Sequence, residues 1–313
     1  MTSARDPKAG DSKTPRRILC LGMPVRDMTF RVEDVPARGD KIQASRFDEI
    51  CGGNAPNAAV AIARLGGRAR LSGPMGDARE QGTAFLLERL QSEGIETQHV
   101  VHVAGAVTPI STILIDSSGE RTGITYRDPS LWNVELPASA TLLDGVDAIL
   151  AENRCAKFII AVCEEARARG IPIVVDADRA MSADEALLHV ATHVIFSAEA
   201  LRATAGTEDL TAALARLAAV SPAFLGVTNG AHGTFWLDTG GAARHTPAFQ
   251  VTAVDTLGAG DVFHGAFALA IAEGSTLELA LRFAAAAAAI KCSRFGGAFA
   301  APQRTEVQAF LTR

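Results

Sequence analysis

The sequence of 313 residues lacks a long hydrophobic run and has no cluster of basic residues. Its longest apolar-leaning stretch, residues 283–290, is far shorter than the about 20 residues of a transmembrane helix, so we expect no membrane span. The net charge is −5, which argues against nucleic acid or an anionic membrane as a partner. Residues 1–15 lack the apolar core of a signal peptide and are predicted to form a disordered tail.

Cysteine is scarce and follows no recognised spacing. The five cysteines include no CxxC pair and no zinc-type Cys/His pattern, which predicts reduced thiols in the cytoplasm and no thiolate-bound metal. The phosphate-binding sequence GxxxxGK[ST] is also absent, and Gly22-Met-Pro-Val25 is not a GxGxxG turn. A P-loop enzyme and a dinucleotide-dependent dehydrogenase are therefore disfavoured.

Short apolar runs alternate with helical patterns along the chain. This alternation is typical of a parallel sheet covered by helices on both faces, because each buried strand needs a crossover helix to reach the next. The predicted strands cover 17–22, 69–73, 147–152, 171–176, 193–196 and 224–228, and the predicted helices between them cover 55–65, 83–93, 157–169 and 210–220.

Two segments depart from this alternation of strands and helices. Residues 28–50 and 107–126 read as antiparallel β structure, the second with a turn at Ser117-Ser118-Gly119. A further hairpin is predicted over 233–247. We therefore expect one α/β domain over 16–313, with a doubly wound, mostly parallel sheet and a small β-sheet lid formed by the two segments.

The most informative motif is Val254-Asp-Thr-Leu-Gly-Ala-Gly-Asp261, which precedes an apolar helical run. Gly258, Ala259 and Gly260 would expose backbone N–H groups at the positive end of that helix, where a phosphate is stabilised. Asp261 would then lie beside the phosphate and could accept the proton of an attacking hydroxyl. The alternative is a helix cap that follows an ordinary glycine turn.

A second motif, Cys51-Gly-Gly-Asn-Ala-Pro-Asn57, leads into an alanine-rich helix. Gly53 permits close approach of the backbone, and the amides of Asn54 and Asn57 offer donors and acceptors to a polyol. This pattern favours a helix start that faces a sugar. A capped helix after a turn is the alternative.

Together the two motifs resemble the signature sequences of the ribokinase-like (PfkB) carbohydrate kinases, and the resemblance extends over 16–313. It implies a doubly wound α/β fold with a lid, ATP as the phosphoryl donor and Mg²⁺ as its companion ion. It also implies that Asp261 is the catalytic base and that the amides of 258–261 stabilise the transferring phosphoryl group. Asp255 matches the metal and monovalent-cation neighbourhood of the family, so K⁺ is a further candidate ion.

Further positions match the family individually. Asp27 matches an aspartate that binds sugar hydroxyls, and Asn54 and Asn57 match sugar contacts. The segment Thr228-Asn-Gly-Ala-His-Gly233 resembles the TxGxxG turn that holds the nucleotide, which makes Thr228, Gly230 and Gly233 candidate ATP-binding residues together with Ser197, Gly258 and Gly260.

The chain departs from the family at one place. Ribokinases carry Asn-x-x-Glu after the strand that here covers 193–196, whereas this chain reads Ser197-Ala-Glu199-Ala200. The displacement of Glu199 by one position puts the usual water-mediated magnesium contacts in doubt, although the nucleotide can supply most of the magnesium ligands.

Segments 151–154, 261–266 and 291–294 resemble the branch of ketohexokinases and bacterial sulfofructose kinases, which favours a ketose acceptor, fructose-like or sulfofructose. Lys41 and Arg154 could grip an anionic substituent of that sugar. Their alternatives are a solvated lid charge and a structural ion pair.

The predicted reaction is removal of a proton from the sugar's primary hydroxyl by Asp261, followed by attack on the γ-phosphate of ATP. A ribose or nucleoside kinase of the same fold, or a catalytically silent sugar or nucleotide sensor, remains an alternative. The resemblance also suggests a homodimer in which the exposed face of the lid pairs with a second copy.

Overall fold

The apolar runs of the sequence form six adjacent strands of an eight-stranded sheet in the computed structural model, which describes residues 14–118 and 120–312. Nearly all of the predicted tail 1–15, and Gly119 of the predicted turn, lie outside the described residues. The strands are β1 (Arg17–Leu21), β2 (Val25–Arg31), β3 (Arg46–Gly52), β4 (Arg68–Ser72), β5 (Pro74–Met75), β6 (Val101–His102), β7 (Ile110–Ile115), β8 (Arg121–Tyr126), β9 (Ala148–Glu152), β10 (Ile173–Ala177), β11 (His193–Ser197), β12 (Phe224–Thr228), β13 (Thr234–Leu237) and β14 (Ala243–Thr246).

Helices cover both faces of this sheet. They are α1 (Asn54–Arg64), α2 (Gln81–Ser92), α3 (Ser139–Leu142), α4 (Ala156–Ala168), α5 (Ala186–Val190), α6 (Ala198–Ala205), α7 (Leu210–Ala218), α8 (Ala259–Ala272), α9 (Leu277–Cys292) and α10 (Arg304–Leu311). The four helices predicted between strands are present, with their ends shifted by one or two residues, as is usual for helix termini.

The large sheet has the order β14-β13-β12-β11-β10-β9-β1-β4, in which β13 pairs antiparallel with both β12 and β14 and all other pairings are parallel. The chain passes from β1 outward to β4 and then crosses back to β9 on the other side of β1. Open α/β sheets bind ligands where the winding reverses, outside the carboxyl ends of the strands. That position is the crevice between β1 and β9, and the predicted doubly wound fold is confirmed.

Burial explains why the parallel strands read as continuous apolar runs. In β1, Ile18 and Cys20 belong to one hydrophobic core, and Leu19 and Leu21 belong to the core on the opposite face of the sheet. Successive side chains of a strand point to opposite faces, so a sheet covered on both faces requires apolar residues at every position.

A second, four-stranded sheet has the order β3-β2-β7-β8 and is called the small sheet below. It is built mostly from the segments predicted as a lid, but β2 begins at Val25, three residues before the predicted boundary. Within each segment the strands pair antiparallel as predicted, β2 with β3 and β7 with β8, whereas β2 and β7, which join the two segments, are parallel. Every residue of β8, from Arg121 to Tyr126, is exposed. The homodimer through this sheet stays a prediction.

Helices α1 and α8 lie in direct contact on one face of the large sheet. An added Cβ at Gly265 of α8 would come within 2.5 Å of the carbonyl oxygen of Ala58 in α1, so only glycine permits this approach. The contact joins the two helices whose first turns carry the predicted motif residues. Within the described ranges, no helix is long and apolar enough to cross a membrane.

Candidate active site

The N-terminus of α8 has the geometry of an anion site. Gly258 is the N-cap residue and has φ of 75°, the left-handed region that glycine adopts without strain. An added Cβ at this residue would also lie 3.1 Å from the backbone nitrogen of Ala298. The N–H groups of Ala259, Gly260 and Asp261 belong to the first helical turn, which has no carbonyl partners earlier in the helix.

Asp261 is held in place by an amide from the second motif. Asn57 Nδ2 donates a hydrogen bond of 2.7 Å to Asp261 Oδ2, although the two residues are 204 positions apart. Burial raises the pKa of Asp261 well above its ordinary value, and the nearby Asp176 carboxylate raises it further, while the Asn57 amide opposes the rise. In the described ranges no hydrogen-bond donor reaches the buried Asn57 Oδ1.

Two acidic residues near the carboxyl ends of neighbouring strands of the large sheet raise the pKa of Asp261. Glu152 ends β9 and accepts a 2.6 Å hydrogen bond from the backbone N–H of Ala55 at the start of α1. Asp176, in β10, accepts a 3.0 Å hydrogen bond from Asn54 Nδ2. Burial is the main cause that raises the pKa of Glu152 to about 7, and it raises the pKa of Asp176 as well.

His264 is buried beside these acidic residues, between the large sheet and α8. It is buried one turn after Asp261 and lies 2.7 Å from the Gly260 carbonyl oxygen, 3.2 Å from the Ile195 carbonyl oxygen and 3.6 Å from Asp176 Oδ1. Because both ring nitrogens face protein groups, His264 is a buried, hydrogen-bonded residue.

The predicted sugar-binding residues lie at the junction of the small sheet and α1. Asp27 is in β2, and Gly53, which precedes α1, has φ of 96°. Burial raises the pKa of Asp27 to about 6, against the opposing effects of the Ser111 hydroxyl and of Arg127. An added Cβ at Gly52 would collide with the Asp27 carboxylate, so Gly52 makes room for this carboxylate, while a Cβ at Gly53 would collide with the Met23 carbonyl oxygen.

A cavity of about 530 Å³ contains most of the predicted ATP-binding residues. Its lining includes the ends of β11 and β12, the turn before β13, the start of α8 and the alanine-rich face of α9. From the predicted set, the cavity is lined by Ser197, Thr228, Gly230, Gly233 and Gly260. Gly258 is not among the lining residues and acts as the helix cap.

Three further residues named from the sequence, Arg154, Lys41 and Glu199, have the following surroundings. Arg154 forms a 2.6 Å ion pair with Asp178, which matches the structural alternative. Lys41 is exposed in the segment between β2 and β3. Glu199 is exposed in the first turn of α6 and is absent from the lining of the 530 Å³ cavity.

Asp255, the predicted metal residue, already has partners for both carboxylate oxygens. Oδ1 accepts from the Leu257 N–H at 2.8 Å, and Oδ2 accepts from the N–H groups of Gly296 at 3.2 Å and Gly297 at 3.0 Å. Lys291 Nζ lies 3.1 Å from the same Oδ2. Asp255 is therefore tied to the chain rather than presented to a metal.

The described part of the chain contains no group of three or more His, Cys, Asp or Glu side chains arranged to hold a metal ion. The Mg²⁺ implied by the resemblance thus has no preformed protein cage, and such an ion would enter with the nucleotide phosphates.

Sequence reasoning missed several residues of this site: Glu152, Asp176, Asp178 and Lys291. A signal for the first two was present, since both are acidic residues at the carboxyl ends of predicted strands. Such strand ends meet at one edge of a parallel sheet.

Comparison with known proteins agrees with the geometry. The model of the pfkB family carbohydrate kinases matches residues 15–304. The chain is 29% identical over 303 residues to a ribokinase of Bacillus subtilis, covering 95% of this chain and 100% of the relative. It is 29% identical over 293 residues to fructokinase-1 of Oryza sativa, covering 85% and 89%.

Among solved structures, the Arabidopsis thaliana ribokinase complexed with ribose and ATP superposes with a TM-score of 0.86 at 23% identity, over 96% of this chain and 99% of that one. This likeness concerns the fold, while the family model covers nearly the whole sequence. The chain therefore belongs to the pfkB family of carbohydrate kinases, enzymes that transfer a phosphoryl group to an alcohol.

Proposed function

We propose that this kinase transfers the γ-phosphate of ATP to the primary hydroxyl of a small sugar, with Asp261 as the base. The observation that carries the proposal is the hydrogen bond of 2.7 Å from Asn57 to Asp261. This bond places the Asp261 carboxylate at the start of α8, where the first-turn N–H groups could bind an anion. Gly260, in the same turn, lines the 530 Å³ cavity.

The cavity is the proposed site of ATP. Its polar rim is formed by Ser197, Thr228 and the glycines of the 228–233 turn, which suit ribose and phosphate groups. Its apolar wall includes Ala285, Ala288 and Ala289 of α9, where small side chains leave room for a flat base. A protein of the same fold whose structure holds ribose and ATP supports this assignment. Mg²⁺ would accompany the phosphates.

The mechanism follows from the charges around the base. A sugar held by Asp27, Asn54 and Asn57 would direct its primary hydroxyl toward Asp261, which accepts the proton as the oxygen attacks the γ-phosphorus. The raised pKa of Asp261 makes it a better proton acceptor than an exposed aspartate. The first-turn N–H groups of α8 would stabilise the negative charge of the transferring group.

Ribose and fructose are the first acceptors to test, because the relatives are named ribokinase and fructokinase. The ketose preference read from the sequence stays a prediction, and ribose is its alternative. An anionic substituent such as a sulfonate receives little support, since Arg154 is paired with Asp178 and Lys41 is exposed.

The test is ATP-dependent release of ADP with ribose, fructose, sulfofructose and nucleosides as acceptors. A base contributes about 100-fold or more, so Asp261→Asn should lose at least that factor while the protein still binds sugar. Glu164→Gln, an exposed change on α4, is the matched control and should retain full activity.

An Asp261→Asn rate within about tenfold of the wild type would contradict the proposed base. If no acceptor supports turnover, but ATP and a sugar still raise the melting temperature, the sensor alternative would replace the kinase proposal.

A further inference from the structure

Lys291 is a fully buried cation next to the anion site, and nothing in the reaction described above uses it. It lies in the last turn of α9, and its relative side-chain exposure is 0%. Its Nζ donates a 2.6 Å hydrogen bond to the carbonyl oxygen of Asp255 and lies 3.1 Å from Asp255 Oδ2. Burying an ammonium is costly, so its retention at this position requires oxygen partners.

These contacts hold residues 254–258, called the 254–258 loop below. The N–H groups of Val254 and Asp255 both donate to the Cys292 carbonyl oxygen, at 2.8 and 3.1 Å. The Asp255 carboxylate accepts hydrogen bonds from the Leu257 N–H within the loop and from the N–H groups of Gly296 and Gly297 outside it. The Asp255 carboxylate, whose charge is balanced by Lys291, is thus one support of the loop, beside the backbone bonds to Cys292 and the hydrogen bond that Arg121 donates to Thr256 Oγ1.

The loop leads directly to the first turn of α8. Gly258 ends the loop and caps the helix, and the Ala259 N–H donates to the Thr256 carbonyl oxygen at 3.2 Å. A shift of the loop would move the N–H groups that face the phosphate. The position of the anion site is thus coupled to the charge balance at Asp255.

The family resemblance implies a monovalent cation beside Asp255, and the residues present do not fit one. The position between the carbonyl oxygen and the carboxylate of Asp255 is taken by an ammonium group that belongs to the chain. An ammonium group and K⁺ carry the same charge and are similar in size, so both could make the same two oxygen contacts.

We propose that Lys291 is a positioning residue whose ammonium replaces a monovalent cation, so that this kinase works without K⁺. The inference rests on the proposed function, since it concerns the loop that positions the anion site. Lys291 acts through Asp255 and the loop, and it does not touch the reacting atoms.

The experiment compares the wild type, Lys291→Ala and the control Lys157→Met in KCl, NH₄Cl, NaCl and tetramethylammonium chloride at constant ionic strength. Lys157 is exposed on α4 and donates to Asn133 Oδ1, away from the 254–258 loop, so its removal should leave turnover unchanged. The wild type should turn over equally in all four salts. Lys291→Ala should lose about tenfold or more in tetramethylammonium, because it loses charged hydrogen bonds, and should recover in K⁺ or NH₄⁺.

Three results would overturn the inference: stimulation of the wild type by K⁺, full activity of Lys291→Ala in tetramethylammonium, or a folded Lys291→Ala that no cation rescues. If the alanine variant does not fold, Lys291→Met keeps the apolar stem and undergoes the same comparison. The rise in melting temperature caused by ADP is measured in the same salts. This readout tests the inference even where no acceptor supports turnover and the proposed function itself has failed.

Discussion

Replacing Asn57 by leucine should move the acidic limb of the pH–rate profile to higher pH. The Asn57 amide donates to the Asp261 carboxylate at 2.7 Å and so stabilises the charged form, which lowers the pKa of Asp261. A hydrogen bond to a charged group contributes about 1.5–3 kcal/mol, and one pKa unit corresponds to about 1.36 kcal/mol. Loss of the bond should therefore raise the pKa of Asp261 and displace the acidic limb by the equivalent of that free energy.

The assay is kcat against pH at saturating sugar, which reports groups in the enzyme–substrate complex. Asn54→Leu is the matched control, because Asn54 donates to Asp176 and not to Asp261. Both variants should bind sugar more weakly, but only Asn57→Leu should move the limb to higher pH, because loss of the Asn54 bond favours protonation of Asp176 and so weakens its repulsion of the Asp261 carboxylate. A limb that stays in place in Asn57→Leu, with reduced kcat, would refute the assignment of Asp261 as the titrating base.

Two further predictions concern the cavity and the sugar side. Gly260→Ala places a methyl group beside the cavity, at a point with no atom from elsewhere in the protein within 4 Å. The melting temperature should therefore stay the same or rise, while kcat/KM for ATP falls. Unchanged ATP kinetics would contradict close approach of a phosphate to this residue. Sugar affinity measured by calorimetry should weaken as the pH falls through about 6, because Asp27 then becomes protonated and loses acceptor capacity, and Asp27→Asn should remove that dependence. A wild-type affinity that is flat across this range would exclude an ionised Asp27 from sugar binding.

The large sheet could be predicted from the sequence because each of its buried strands carries its own apolar signal. The pairing of β2 with β7 could not, since strand propensity does not encode a partner or its direction across about 80 residues of intervening chain. The same distinction holds in the active site. The motifs point to Asn57 and Asp261 individually, but only the contact of α1 with α8 makes one the hydrogen-bond donor of the other.

Glu152, Asp176 and Lys291 illustrate the remaining gap. The two acids become neighbours only through the order of β9 and β10, which depends on how the chain winds. Lys291 looks like an ordinary basic residue near a helix end, and its burial follows from the packing of α9 against the 254–258 loop. Residues whose role depends on a distant backbone group carry no local pattern in the sequence.

The glycine contact between α8 and α1 limits how such an enzyme can change its preference among acceptors. Gly265 against Ala58 keeps together the first turns of the two helices, which carry Asn54, Asn57 and Asp261, and any larger side chain at Gly265 would force them apart. Sequence change is tolerated more readily at exposed positions, such as those of β8 and of the segment between β2 and β3. A laboratory library of variants should diversify those surface segments and leave the helix contact unchanged.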